Sequence, residues 1–215
     1  MALFHNKIFL LRGLSTWETL EWIKMSIYTV SQCGNLINPA KQCPSPNQDD
    51  RPDSCEPDLI IIHGISLPPG EFGGPYVEQL FTDCLDWDTH TYFAGIKGLK
   101  VSPHLFIPRN GGLIQFVPFS RRAWHAGASC YRDRKNCNDF SIGIELEGED
   151  ETPYADLQYN TLLAVIIALQ TTYTCLCARR IVGHCDVSPD RKSDPGPAFD
   201  WLRLYDGLSD NTEEK

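Results

Sequence analysis

Apolar residues recur along this chain in three rhythms. Leu59-Ile60-Ile61-Ile62 forms an unbroken apolar run between Asp58 and His63, which predicts a strand buried on both faces. In Phe140-Ser141-Ile142-Gly143-Ile144-Glu145-Leu146-Glu147 the apolar positions alternate with small or acidic ones. That alternation predicts a strand with Phe140, Ile142, Ile144 and Leu146 on one face and Gly143, Glu145 and Glu147 on the other. Leu162, Val165, Ile166, Leu169 and Tyr173 make an apolar stripe at helical spacing within 157–173, long enough to cover one face of a sheet. Val77, Leu80, Phe81 and Cys84 predict a shorter helix after Pro75, and Asn110-Gly111 predicts a hairpin between Leu105–Ile107 and Leu113–Val117. The fold class that results is α/β: a single domain with a central mixed β-sheet flanked by helices. A chain of 215 residues with 42% hydrophobic content suits one sizeable core, and no internal repeat or low-complexity linker divides it.

Candidate chemistry falls at the ends of these elements. Gly183-His184-Cys185-Asp186-Val187-Ser188-Pro189-Asp190-Arg191-Lys192-Ser193-Asp194-Pro195-Gly196-Pro197 places a histidine, cations and a carboxylate in one short loop. Pro195 biases Asp194 toward an extended backbone, and the flanking prolines stiffen the segment. Imidazole nitrogen and carboxylate oxygen are both zinc donors, although a Pro-rich surface turn with an exposed histidine has the same local composition. His63, displayed at the end of the buried strand, supplies a second donor; a lone histidine there would read as a core residue with one hydrogen bond. Gly143 leaves space beside Glu145 on the polar face of its strand, where a carboxylate could meet a water or substrate. Glu147 reads as part of a solvated face. Cys185 adjoins His184, but in an extended segment neighbouring side chains point to opposite sides, which leaves Cys185 out of the site.

The ordered motifs are similar to those of the zinc-dependent N-acetylmuramoyl-L-alanine amidases of the AmpD type, which are related to peptidoglycan-recognition domains. The resemblance runs from Pro44-Ser45-Pro46-Asn47 through Arg51-Pro52-Asp53, 62–75, Val101-Ser102-Pro103-His104, Arg122-Ala123-Trp124-His125-Ala126-Gly127 and Glu145 to the Asp194 loop and Phe199-Asp200-Trp201. It covers roughly three quarters of the chain and is more specific than any single motif. The resemblance implies one Zn2+ per chain held by His63, His184 and Asp194, with Glu145 as catalytic acid/base and Lys192 as transition-state stabiliser. Cysteine is common at the Asp194 position in peptidoglycan-recognition domains, so the aspartate favours the AmpD branch.

The implied reaction is hydrolysis of the amide between anhydro-N-acetylmuramic acid and L-alanine in soluble muropeptides, for cell-wall recycling and, indirectly, control of β-lactamase induction. Two neutral imidazoles and a carboxylate suit that chemistry, because zinc with an open fourth position lowers the pKa of a bound water to about 7. An amidase of intact peptidoglycan and a non-catalytic muropeptide sensor are the alternatives; a sensor is expected to lose part of the five-residue set. The sequence departs from the family pattern at Gly64, where asparagine is common, and at Asn136, where a basic residue is common.

Charge and cysteine usage bound the context. Lys and Arg number 19 against 28 Asp and Glu, a net charge of −9 that disfavours nucleic-acid binding. Arg121, Arg122, Arg132, Arg134 and Lys135 face only Asp133 locally, so a cationic rim for substrate carboxylates is expected there. Lys100, Trp124, His125 and Arg134 are the expected substrate contacts, and His104 is expected to pack behind the site. Nine cysteines without CxxC pairs suit reduced thiols in the cytoplasm. No apolar run reaches membrane-spanning length, and Ile8–Leu11 stops at Arg12, so neither membrane insertion nor a secretory leader is expected. The expected partner is the anhydro-muropeptide alone, met by a monomer. The expected layout is an N-terminal extension over 1–43, an amidase domain over 44–205 and a mobile acidic tail over 206–215. Met25 is the only methionine besides Met1, so translation is expected to start there with 1–24 upstream; a docking helix from Trp17 to Ile27 is the competing account.

Overall fold

The computed structural model describes residues 28–209 except 32, 34, 53 and 54. In chain order the strands and helices are β1 (Thr29–Val30), β2 (Ile37–Asn38), β3 (Lys41–Gln42), β4 (Gln48–Asp50), β5 (Leu59–Ile65), α1 (Tyr76–Phe81), β6 (Leu105–Ile107), β7 (Ile114–Gln115), β8 (Arg121–Ala123), β9 (Cys130–Tyr131), β10 (Arg134–Lys135), β11 (Ser141–Glu147), α2 (Asp156–Thr172), β12 (Ile181–Gly183), α3 (His184–Val187) and α4 (Trp201–Ser209). Six of these strands form the central sheet in the order β12-β5-β11-β6-β7-β3. The β12, β5, β11 and β6 strands run parallel, β7 is antiparallel to β6, and β3 is parallel to β7. The sheet is therefore mixed, as the sequence predicts.

Its centre is the apolar run: Leu59, Ile60, Ile61 and Ile62 are all fully buried. Ile60 and Ile62 share one face with Ile142, Ile144 and Leu146, and α2 lays Leu162, Val165, Ile166 and Leu169 across that face, joined by Leu204 and Leu208 of α4. Each of those four α2 side chains is fully buried, a gain of about 1.5–3 kcal/mol apiece before conformational entropy is counted. On the opposite face Leu59 and Ile61 pack with Ala126, Phe140 and Val187. Phe140 precedes the strand proper and turns to this second face rather than to the face of Ile142. A third cluster packs Val77, Leu80 and Phe81 of α1 against Phe93, Phe106 and Phe116. The α1 helix ends before Cys84, which is exposed, because Asp83 takes a left-handed φ of 57°.

Segments outside the expected 44–205 span also pack into the core. The β3 strand forms one edge of the central sheet, and Ile37 is fully buried with its N–H donating to Gln115 Oε1 at 2.9 Å. The α4 helix continues to Ser209 and buries Leu208, past the expected end at 205. The expectations for Met1–Lys24, for a start at Met25, for a helix over Trp17–Ile27 and for 210–215 lie outside the described residues.

Candidate metal and catalytic site

Three adjacent parallel strands bring the site together. In the sheet register Glu145 of β11 lies beside His63 of β5, and Gly183 at the end of β12 lies beside Ile62. His184 therefore emerges next to His63, at the carboxyl ends of the strands where ligands of parallel sheets gather. His184 also opens α3, so Cys185 sits in a helical turn rather than an extended segment. Cys185 is therefore not turned away by strand alternation, but among the described residues the convergent donor group is His63, His184 and Asp194, without Cys185.

The donor atoms form a small triangle. His63 Nδ1 lies 2.9 Å from His184 Nδ1, and Asp194 Oδ2 lies 3.3 and 3.0 Å from them respectively. Three donors held about 2.0–2.2 Å from a tetrahedral zinc would stand roughly 3.3 Å apart, so the triangle fits such an ion with small adjustment.

Hydrogen bonds behind the rings fix the tautomers this requires. Ser141 Oγ donates to the Cys137 carbonyl at 2.6 Å, so it accepts from His125 Nε2 at 3.3 Å. His125 Nδ1 is then left to accept from His63 Nε2 at 2.9 Å, and His184 Nε2 donates to the Ala126 carbonyl at 3.2 Å. Both Nδ1 lone pairs consequently face the Asp194 carboxylate, an arrangement that repels itself unless a cation lies among them. Burial works to raise the Asp194 pKa, but the hydrogen bonds and charges of His184 and His63 outweigh it and hold the carboxyl well below the usual range. Burial pushes His63 down to about 4 and, with neighbouring histidines, pushes His125 well below an ordinary imidazole.

Glu145 is buried, and its Oε2 has no hydrogen-bond partner. Its Oε1 stands 4.0 Å from His63 Nδ1. Burial first, and the Asp194 charge second, raise its pKa well above a normal carboxyl, with Lys192 opposing. A carboxyl poised to exchange a proton is what general acid–base chemistry near neutrality needs.

Glu145, His184 and Asp194 line a cleft of about 1040 Å³ together with Arg191, Lys192, the acidic run Glu149, Asp150 and Glu151, and apolar Leu67, Phe81, Tyr92, Ile96 and Leu99. Its cations are not those expected of the basic segment. Arg121 pairs with Asp50, Arg122 with Asp49 and Asp139, and Arg134 with Asp58 at 2.7 Å. Arg134 also lies 3.6 Å over the Phe140 ring and does not line the cleft. Acidic partners distant in sequence pair with three of its five cations, which a local count cannot anticipate.

The Trp124 side chain hydrogen-bonds Asp49 and is also off the cleft. Lys100 pairs with Asp83 at 3.4 Å beside two cleft-lining neighbours, Leu99 and Val101. His125 does touch the cleft, yet its ring nitrogens are engaged by His63 and Ser141, which makes it a support for His63. Glu147 is buried rather than solvated, accepting the Gly73 and Arg109 N–H groups at 2.5 and 3.0 Å.

Two residues not expected from the sequence, Arg191 and Arg51, also brace the site. Arg191 Nη2 donates to the Ala126 carbonyl at 2.6 Å and to Ser188 Oγ at 3.1 Å, tying the Asp194 loop to the carbonyl that His184 uses. Its place beside Lys192 was the available signal. Arg51, inside a quoted motif, donates to the carbonyls of Phe119, Asn138, Asp139 and Ser141 and lies 3.0 Å from His104 Nε2. His104 in turn accepts the Gly143 N–H at 3.0 Å, and burial together with the Arg51 charge keeps it neutral. This buttress underlies the Glu145 strand.

A mixed sheet with a His-His-Asp cluster and a buried glutamate at its carboxyl edge suits a metal-dependent hydrolase. The chain belongs to the N-acetylmuramoyl-L-alanine amidase family, whose model matches residues 53–197. It is 56% identical over 165 residues to the 1,6-anhydro-N-acetylmuramyl-L-alanine amidase AmpD of Citrobacter freundii, covering 77% of this chain and 88% of that protein. The AmpD of Escherichia coli is likewise 56% identical, covering 77% and 90%. A crystal structure of a selenomethionine derivative of AmpD superposes with a TM-score of 0.78 at 53% identity, covering 80% of this chain and 96% of that one. The Escherichia coli amidase AmiD, solved with anhydro-N-acetylmuramic acid-L-Ala-D-γ-Glu-L-Lys, gives 0.53 at 25% identity, covering 73% and 60%.

Proposed function

We propose that this protein hydrolyses the amide between anhydro-N-acetylmuramic acid and L-alanine in soluble muropeptides, with one zinc ion held by His63, His184 and Asp194. The observation that carries this reading is the triangle of donor atoms beside an unpartnered, buried Glu145. Zinc in that triangle supplies Lewis acidity and an activated water. Glu145 accepts the proton of the attacking water and returns it to the departing L-alanine nitrogen, so that the amine and not the water leaves. Lys192, in the cleft two residues before Asp194, brings an ammonium toward the oxygen on which negative charge develops. The His125–Ser141 chain keeps the His63 lone pair aimed inward throughout.

The protein acts in the cytoplasm as a monomer in this reading, on recycled wall fragments. Nine free thiols support that setting, and among the described residues no helix is long and apolar enough to cross a membrane. Mass spectrometry of digests of soluble anhydro-muropeptides and of polymeric sacculi, run side by side with metal analysis, tests the proposal. Peptide release from the soluble substrate by protein carrying one zinc is expected. Preferential cleavage of sacculi would indicate a wall amidase, and binding without release a sensor.

A further inference from the structure

We propose that Tyr154 is the positioning residue for Asp194, seated in a slot that two glycines at the carboxyl edge of the sheet leave open; this rests on the metal reading above. Tyr154 is buried, and its hydroxyl donates to the carbonyl of Pro195, the residue next to Asp194, at 2.9 Å. The slot is specific. A Cβ on Gly64, the neighbour of His63, would collide with the Tyr154 hydroxyl, and a Cβ on Gly148, just past β11, would collide with its ring. The phenol therefore threads between the ends of the strands that carry His63 and Glu145 and reaches the loop that carries the third donor. Its ring packs edge-on against Phe199, with centroids 5.5 Å apart.

On the far side of Asp194 the Cys185 N–H donates to the Asp194 carbonyl at 3.0 Å, and further along Ala198 N–H donates to Asp150 O at 2.9 Å. Tyr154 is the side-chain link between this loop and the body of the sheet at Pro195. Burial keeps the hydroxyl protonated and hence a donor. The absent side chain at position 64 is thus what admits the hydroxyl to its partner.

The test is zinc affinity, measured by competition with a chromophoric chelator, alongside thermal melts of the metal-free proteins. Tyr154→Phe retains the ring and removes the tether, and is expected to weaken zinc binding about 10-fold or more, as loss of a partner behind a metal ligand does. Gly64→Ala, which forces the hydroxyl aside, is expected to weaken it similarly. In the Tyr154→Phe background Gly64→Ala is expected to add little, because the nearest remaining ring atom lies 3.5 Å from the new Cβ.

Unchanged affinity in Tyr154→Phe, or fully additive losses in the double variant, would overturn the proposal. So would a lowered melting temperature with unchanged affinity, which marks a merely structural role. A wild-type protein that takes up no zinc would instead sink the metal reading, and this inference with it.

Discussion

Replacing Glu145 by Gln separates what the carboxyl does for chemistry from what it costs the fold. The amide matches the carboxyl in size, but it cannot accept the proton of the attacking water. General acid–base groups contribute roughly 10²–10⁴-fold, so kcat should fall by at least about 10²-fold while zinc content and muropeptide KM stay near wild type.

Stability should move the other way. The folded-state pKa of Glu145 is raised by burial and by Asp194. Its contribution to stability is therefore fully present below the ordinary carboxyl value of 4.5 and is lost as pH rises through the folded pKa. Glutamine never ionises, so metal-free Glu145→Gln should be more stable than metal-free wild type at pH 7 and lose that advantage at pH 4. Release of peptide from purified anhydro-muropeptide, followed by chromatography, reads the first effect; urea unfolding in chelator at the two pH values reads the second. Near-normal turnover would place the base elsewhere. Lost activity with no gain at pH 7 would mean that the carboxyl is not held against its own ionisation.

Asp194→Ala should lose most bound zinc and activity together, because three protein donors suit a catalytic zinc site; full zinc content by elemental analysis would reopen the case for Cys185. The metal-free protein should weaken steeply as pH falls from about 6.5 to 4.5. His63, His104 and His125 have folded pKa values depressed by burial, so their stability is present above the unfolded value of 6.5 and is lost on acidification. The raised pKa of Glu145 opposes this trend in the same window, and a denaturant midpoint that stays flat or rises on acidification would contradict the assignment. Lys192→Ala should lower kcat on the order of 10²-fold, whereas Arg134→Ala, which breaks only the Asp58 pair and the Phe140 contact, should leave kcat/KM within about twofold of wild type; the reverse ranking in a turnover assay would restore the basic segment to the site.

The sequence by itself determined the buried strand, the Glu145 strand and the α2 helix, because each is written in short-range periodicity, and the family resemblance singled out the three residues whose donor atoms the fold brings together. Register was the step beyond its reach. Only pairing of β12, β5 and β11 brings His184, His63 and Glu145 side by side, and pairing is a long-range choice made by the core as a whole.

The same limit governs where the expected substrate contacts lie. Arg121, Arg122 and Arg134 look unpaired in sequence because their acidic partners, at 49, 50, 58 and 139, come from other elements. Trp124 turns to Asp49, and His125 spends its ring nitrogens on His63 and Ser141. The strands β1 to β3 are too short to show a period in sequence, and the place of β3 and Ile37 in the core follows only from long-range pairing. Identity of the reactive groups is a local property that composition and spacing record. Their orientation, protonation and neighbours arise from burial and from hydrogen bonds between distant segments, and these exist only once the chain has folded.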